Sequence, residues 1–238
     1  MRLLISVLFI VQMYVMMTAT ALAFAIPALI SRDMAHLALR FYCNWVRWTA
    51  ALMLGLRSEI RGTVPQGEVI VAAKHQSFFD VILLVSVLPR PKFIMKRELL
   101  WTPFLGQYAM RIGCIAVNRG KRGAAIAKMK ADVQKGTALP GQLVIYPQGT
   151  RVAPGATLSY KLGTALLYEQ LGQSCVPAAT NVGLFWPKHG ILRQPGLAVI
   201  EFLPPINPGL SVTDFTKQLE TRIETASNAL MAEAGFAP

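Results

Sequence analysis

The stretch EVIVAAKHQSFFDVILLVSVL, Glu68 to Leu88, changes period part-way along. Glu68–Ala73 is a short run, apolar on both faces, which predicts a strand covered on both sides. After Lys74-His75-Gln76-Ser77 the spacing becomes helical, over Phe79–Leu88. The alternation continues downstream. Phe93–Met95, Cys114–Val117, Gln142–Tyr146, Ser174–Thr180 and Leu197–Phe202 are predicted strands. Helices are predicted over Ala124–Val133, Tyr160–Leu171 and from Val212 to about Ala232, where Thr213 or Asp214 offers a cap and Gly235 a stop. Strands alternating with helices predict an α/β fold. It is a single layered domain over residues 57–238, with a mixed, largely parallel sheet, flanking helices and binding groups at strand ends. No internal repeat or low-complexity linker interrupts it.

Ahead of this domain the chain is more apolar. Leu3–Ile30 holds no charge and a single amide, Gln12. A membrane span needs about 20 apolar residues, so the run is long enough even if Pro27 kinks it. A cleaved secretory signal competes, with Arg2 before the apolar run and Ala21-Leu22-Ala23 as a small-residue site. Against cleavage, the run continues through Phe24, Ile26, Leu29 and Ile30. Cys43, Cys114 and Cys175 also form no CxxC pair and leave one over, which argues against a secreted disulfide framework. A second segment extends from Arg32 to about Leu56, with Arg40 and Arg47 on one helical face beside Trp45, Trp48 and Leu52. Arginine and tryptophan along an apolar stripe predict a helix lying in a membrane interface; a core-packing helix with solvated arginines is the alternative. Residues 1–56 are thus expected to be a helical membrane-binding arm, as a full span or as an in-plane hairpin.

The chain has 238 residues, 53% of them hydrophobic and 15% charged, which excludes a disordered or heavily solvated protein. Lys and Arg number 24 against 12 acids, so the net charge of +12 asks for an anionic partner. Eleven of the basic residues lie between Arg90 and Lys135, with only Glu98 and Asp132 against them. They are not interleaved with aromatics as a nucleic-acid surface would be, and such a role would leave the apolar arm unexplained.

Titratable groups that could carry chemistry are few. His36 falls in the second apolar segment and His189 in a loop, whereas His75 stands at the strand-to-helix corner. Asp80 follows five residues later, ahead of an apolar run where acids seldom sit unpaired. A carboxylate there would hold the imidazole tautomer so that its other nitrogen accepts a proton from a hydroxyl. This requires His75 in the loop and Asp80 one turn into the helix; a capping Asp beside an incidental His is the alternative. GxSxG, HExxH, GxGxxG and P-loop patterns are absent, so direct group transfer from one substrate to another fits better than a covalent enzyme intermediate. Arg119 at a strand end could reach a pocket. Tyr146-Pro147-Gln148-Gly149-Thr150-Arg151 takes a strand into a turn with donors suited to a phosphate, or into an ordinary turn.

Together these pieces resemble the glycerolipid acyltransferases of the 1-acylglycerol-3-phosphate acyltransferase type. His75–Asp80 is similar to the family's HxxxxD block. Lys96-x-Glu98-Leu99 with Pro103, Gly106 and Gly113–Arg119 resembles its second block. Pro147–Arg151 resembles the third, usually PEGTR, and Val176–Asn181 the fourth. The resemblance implies acyl transfer from an acyl-CoA or acyl carrier protein thioester to the 2-hydroxyl of lysophosphatidic acid, giving phosphatidic acid, with no further cofactor and no metal. It implies His75 as general base and Asp80 as its orienting carboxylate. Lys96, Arg119 and Arg151 would bind the acceptor phosphate, with Gly149 and Thr150 shaping the turn and Pro177 near the acyl donor. Partners would be membrane phospholipids, lysophosphatidic acid and the thioester carrier. Arg32, Arg40 and Arg47 near the apolar segments would put the domain on the cytoplasmic face of the inner (plasma) membrane. Gln148 departs from the usual glutamate, which leaves an acyltransferase acting on a lyso-aminolipid as the alternative within the family. Outside it stand a non-catalytic basic lipid-binding protein and a hydrolase using His75 and Asp80 to activate water.

Overall fold

Ile70–Ala73 forms β2, buried at every position, and β2 is the central strand of a seven-stranded sheet ordered β1-β7-β6-β2-β5-β3-β4. The computed structural model describes residues 1–117, 127 and 140–236. The other strands are β1 (Leu56–Arg61), β3 (Pro91–Lys96), β4 (Ile115–Val117), β5 (Gln142–Ile145), β6 (Cys175–Thr180) and β7 (Gly196–Phe202). Strands β6, β2, β5, β3 and β4 run parallel; β7 pairs antiparallel with β6 and carries β1 parallel to itself at the edge. The expected mixed, largely parallel sheet is therefore present. Its parallel part sends the chain after β2, β5, β3 and β6 out at one edge, where loop side chains from distant parts of the sequence meet.

Alternation along the strands divides the core into two faces. Ile70, Ala72, Leu143 and Ile145 pack under α6 (Gly163–Leu171) and α7 (Val212–Glu233), where Tyr168 stacks on Phe215 at 3.9 Å. Val71, Ala73 and Val144 point the other way, to α4 (Phe78–Val87) and to the N-terminal helices α1 (Arg2–Ala23) and α3 (Arg32–Leu54). A short α2 (Ala25–Ile30) turns α1 back along α3, and α5 (Leu105–Arg111) packs on that elbow, Arg111 donating to the carbonyls of Ala28 and Leu29.

Among the described residues α1 is the one helix long and apolar enough to cross a membrane. It lies along α3 as one arm of a hairpin. Phe9 and Met13 join the core, while Leu4, Leu8, Val11 and Val15 stay exposed on the outer side. Gln12, the one amide of the apolar run, accepts from Trp45 Nε1 at 2.9 Å and donates to Thr49 Oγ1 at 3.0 Å. Arg40 and Arg47 of α3 are bonded to the domain rather than solvated. Arg40 donates to the carbonyls of Leu88 and Pro89, and Arg47 to the hydroxyls of Ser58 and Ser86. Phe41, Trp48 and Leu52 on the opposite side of α3 remain exposed.

Two elements differ from the sequence expectation. Leu56–Arg61, to which the sequence reading assigns no element, is a strand, because Gly55, at φ +67°, ends α3 and leads the chain into β1. Leu105–Arg111 is helical although its glycine hides the period; Gly106 is needed there because a Cβ would stand 1.9 Å from the Leu100 carbonyl oxygen. The predicted helix Ala124–Val133 lies outside the described residues apart from Ala127.

Candidate active site

The corner between β2 and α4 is built by its own six residues. Ser77 is the N-cap of α4, its hydroxyl accepting from Phe79 N, and Asp80 at the third helical position closes a capping box. Asp80 Oδ2 accepts from Ser77 N at 2.8 Å and from Gln76 N at 2.9 Å. The same carboxylate receives His75 Nδ1 at 2.9 Å through Oδ1. Capping and orienting are thus two roles of one carboxylate, not alternatives. Asp80 is 1% exposed and His75 17%, so the acid is enclosed and the imidazole edge reaches solvent. A carboxylate only accepts, so Nδ1 carries the proton, and Nε2 is left with a lone pair and no hydrogen-bond partner among the described residues.

Tyr146 completes the arrangement, and sequence reasoning placed it only inside a strand. It follows β5, the neighbour of β2, so its ring stacks on His75 with centroids 3.8 Å apart and planes 15° apart. Its hydroxyl donates to Asp80 Oδ1 at 3.3 Å. Burial and then the adjacent carboxylate push the phenol well above its ordinary value, so it stays a donor. A tyrosine at the end of a buried strand was the available signal, but only the strand order shows which histidine it meets.

The turn after Tyr146 is tied to the same corner. Val152 N donates to the His75 carbonyl at 2.8 Å, which brings Arg151 beside the histidine. Gly149 holds φ +69° and donates to the Tyr146 carbonyl, and Thr150 is half-buried next to it. Arg151 is anchored through Nη1 to the Lys188 carbonyl at 3.2 Å. Gln148 points away from the site: it is 2% exposed, and its amide donates to the Leu158 carbonyl at 3.0 Å, closing the loop behind the turn.

His75, Asp80, Gly149, Thr150 and Arg151 are thus gathered at one corner. Lys96 ends β3, exposed, at the same sheet edge but beyond β5. Pro177 lies within β6 opposite Ala72, buried, short of that edge. Arg119 lies outside the described residues, as do Lys128, Lys130 and Lys135.

A buried carboxylate holding a partly exposed imidazole, with an arginine on the turn bonded to the same corner, is equipped to deprotonate a hydroxyl on an anionic substrate. The family model described as Acyltransferase matches residues 56–181, more than half of the chain, from β1 to the end of β6. The chain belongs to the acyltransferase family. This acyltransferase is 26% identical over 231 residues to the 1-acyl-sn-glycerol-3-phosphate acyltransferase of Pseudomonas aeruginosa, covering 94% of the chain and 90% of that relative. It is 31% identical over 168 residues to the human 1-acyl-sn-glycerol-3-phosphate acyltransferase alpha, covering 68% of the chain and 59% of the relative. The crystal structure of the 1-acyl-sn-glycerophosphate (LPA) acyltransferase from Thermotoga maritima has the same fold. There the TM-score is 0.81 at 20% identity, with 98% of each chain covered. The acyltransferase fold therefore includes the N-terminal hairpin as well as the α/β layers.

Proposed function

We propose that this acyltransferase moves a fatty acyl group from a thioester of coenzyme A or acyl carrier protein to the 2-hydroxyl of 1-acylglycerol-3-phosphate, making phosphatidic acid. The observation that carries the reading is the His75–Asp80 contact at the parallel edge of the sheet, in a chain whose bacterial and mammalian relatives carry the name of that activity. His75 Nε2 takes the proton of the acceptor hydroxyl as its oxygen attacks the thioester carbonyl. The tetrahedral intermediate then expels the thiolate, and the imidazolium returns the proton to sulfur. Asp80 stabilises that imidazolium and keeps Nδ1 as the donor. Base catalysis of this kind contributes about 10²–10⁴-fold, and joining two bound substrates in one geometry contributes more.

Arg151, with Lys96 and Arg119, is assigned to the acceptor phosphate, and Gly149 and Thr150 to the turn that presents Arg151. A planar guanidinium makes the two-point contact a phosphate favours. Pro177 is assigned to the acyl-donor side. The exposed apolar faces of α1 and α3 support membrane association at the cytoplasmic face, where thioesters and lipid acceptor meet. The bond from Gln148 to the Leu158 carbonyl supports a bracing role for this side chain, and with it lysophosphatidate over the alternative lyso-aminolipid. The test is transfer from a labelled thioester by the purified full chain in lipid vesicles. Lysophosphatidate should be converted and His75→Ala should abolish conversion; acylation of a lyso-aminolipid in place of lysophosphatidate would overturn the substrate assignment.

A further inference from the structure

A second cationic site lies at the opposite edge of the sheet from His75. The first turns of α3 and the connection from α4 to β3 form an open pocket of about 230 Å³ lined by Asp33, His36, Leu37, Arg40, Pro89 and Arg90. Three of these side chains are basic and one is acidic. Pro89 and Arg90 stand just before β3 and Lys96 at its end, so a six-residue strand, roughly 20 Å, separates this pocket from the catalytic edge.

The two arginines are held in place. Arg40 Nη2 donates to the carbonyls of Leu88 at 3.2 Å and Pro89 at 3.0 Å, which leaves its other N–H groups for a ligand. The backbone of Arg90 is clamped by Gln142, 1% exposed, whose side-chain carbonyl accepts from Arg90 N and whose backbone N donates to Arg90 O. Gly141 allows that approach, since a Cβ there would stand 2.2 Å from the Arg90 carbonyl oxygen. Burial first, then the charge of Arg90, hold the His36 imidazole below its ordinary value; Asp33 offsets this only in part and Arg40 adds to it. Asp33 meets Arg90 at 3.0 Å, but both side chains are largely exposed, 69% and 50%. The pocket therefore carries more fixed positive charge than its single carboxylate balances.

Its position indicates what supplies the missing anion. Leu37 lines the pocket and belongs to the exposed apolar stripe of α3, with Met34 and Phe41, and the exposed Leu29 and Ile30 of α2 lie just before it. A basic pocket at the rim of an apolar surface sits at headgroup level when that surface enters a bilayer. We propose that Arg40, Arg90 and His36 form a binding site for the phosphate of an anionic phospholipid, separate from the catalytic acceptor site. The inference rests on the reading that the α1–α3 layer meets the membrane.

The test is flotation of the full chain with neutral phosphatidylcholine vesicles and with vesicles containing phosphatidate, which does not depend on acyl transfer. Wild type should prefer the anionic vesicles, and Arg90→Gln should weaken that preference roughly fivefold, as for one basic group at an anionic surface. Lys217→Gln, an exposed charge on α7 under the other sheet face, should change it by less than about twofold. Asp33→Asn should strengthen the preference, a gain that misfolding cannot produce. Equal effects of Arg90→Gln and Lys217→Gln, or no gain with Asp33→Asn, would overturn the site. Inorganic phosphate that abolishes the preference, and raises Tm without vesicles in wild type but not in Arg90→Gln, would overturn the lipid as its source.

Discussion

Two strand-to-helix corners stand side by side at the parallel edge of the sheet, and they are held in different ways. The β2–α4 corner is closed by contacts within six residues: Ser77 caps, Asp80 accepts from Gln76 and Ser77, and His75 docks on the same carboxylate. The segment from β5 to α6 has one local closure, Gly149 on the Tyr146 carbonyl, and otherwise depends on partners farther along the chain. Gln148 reaches Leu158, Val152 reaches the His75 carbonyl and Arg151 reaches Lys188. A locally closed corner keeps its geometry when the rest of the chain breathes. A corner closed from afar can be adjusted by changes elsewhere, which suits the part of a site that meets a variable substrate.

The first corner should be the more sensitive in rate. His75→Ala is expected to lower kcat by about 10²–10⁴-fold with little change in Tm, because it removes the base while Asp80 keeps its backbone donors. Asp80→Asn should lower kcat on a similar scale and also lower stability by about 1.5–3 kcal/mol, since hydrogen bonds to a charged group are lost. Parallel kinetics and thermal melts of the two variants check this; equal Tm losses would mean that the imidazole, and not only the carboxylate, holds the corner together.

In the second corner the effect should move to substrate binding. Arg151→Ala is expected to raise the KM for the phosphorylated acceptor by the equivalent of about 2–5 kcal/mol, with the thioester KM unchanged. A reversed pattern would assign the turn to the donor.

Gln148→Glu tests the distant closure itself. The new carboxylate would face the Leu158 carbonyl with no proton to donate, at a cost of about 1–3 kcal/mol. Burial would raise its pKa above the ordinary value of about 4.3. A folded-state pKa raised in this way means that folding favours the protonated acid. The stability gap to wild type should therefore be small at pH 4 and widen as pH rises through that raised pKa. Melts at pH 4 and pH 7 read the difference directly, and a gap that does not depend on pH would place the side chain elsewhere.

Tyr146 links the corners and should give the smallest change. Tyr146→Phe keeps the stack on His75 and removes one long hydrogen bond to Asp80, worth about 0.5–1.5 kcal/mol, or roughly 2- to 10-fold in kcat. Tyr146→Ala, which also removes the stack, should cost more than Tyr146→Phe.

The same contrast explains what could be read from the sequence. Ser77 and Asp80 stand at capping-box spacing just before an apolar helix, so the histidine corner and its helix start were legible in consecutive residues. Strands apolar on both faces announced a parallel sheet. What Gln148 braces could not be read, because Leu158, its partner, is reached only when the loop folds back. Tyr146 was missed because strand order is not written in any one strand. LRSEIR concealed β1, since its charges suit an edge: Arg61 pairs with Glu59 and with Glu233 of α7. Arg40 and Arg47 read as interfacial, or else solvated, because the carbonyls and hydroxyls they meet belong to other elements.

The hairpin of α1 and α3 has a further consequence, for the order in which the protein is made. Ser6 of α1 accepts a hydrogen bond from the backbone of Arg193, 187 positions later, and Phe9 packs edge-on against Trp186. Segment α1 therefore leaves the ribosome well before these two partners are made. At a synthesis rate of about 5–20 residues per second it waits on the order of 10–40 s with an apolar surface exposed. Strand β1 waits as well, since its ladder among the described residues is with β7 and opens with Leu56 opposite Gly196. A bilayer surface that shelters α1 during this interval would act as a folding chaperone for the enzyme before it serves as the place where it works.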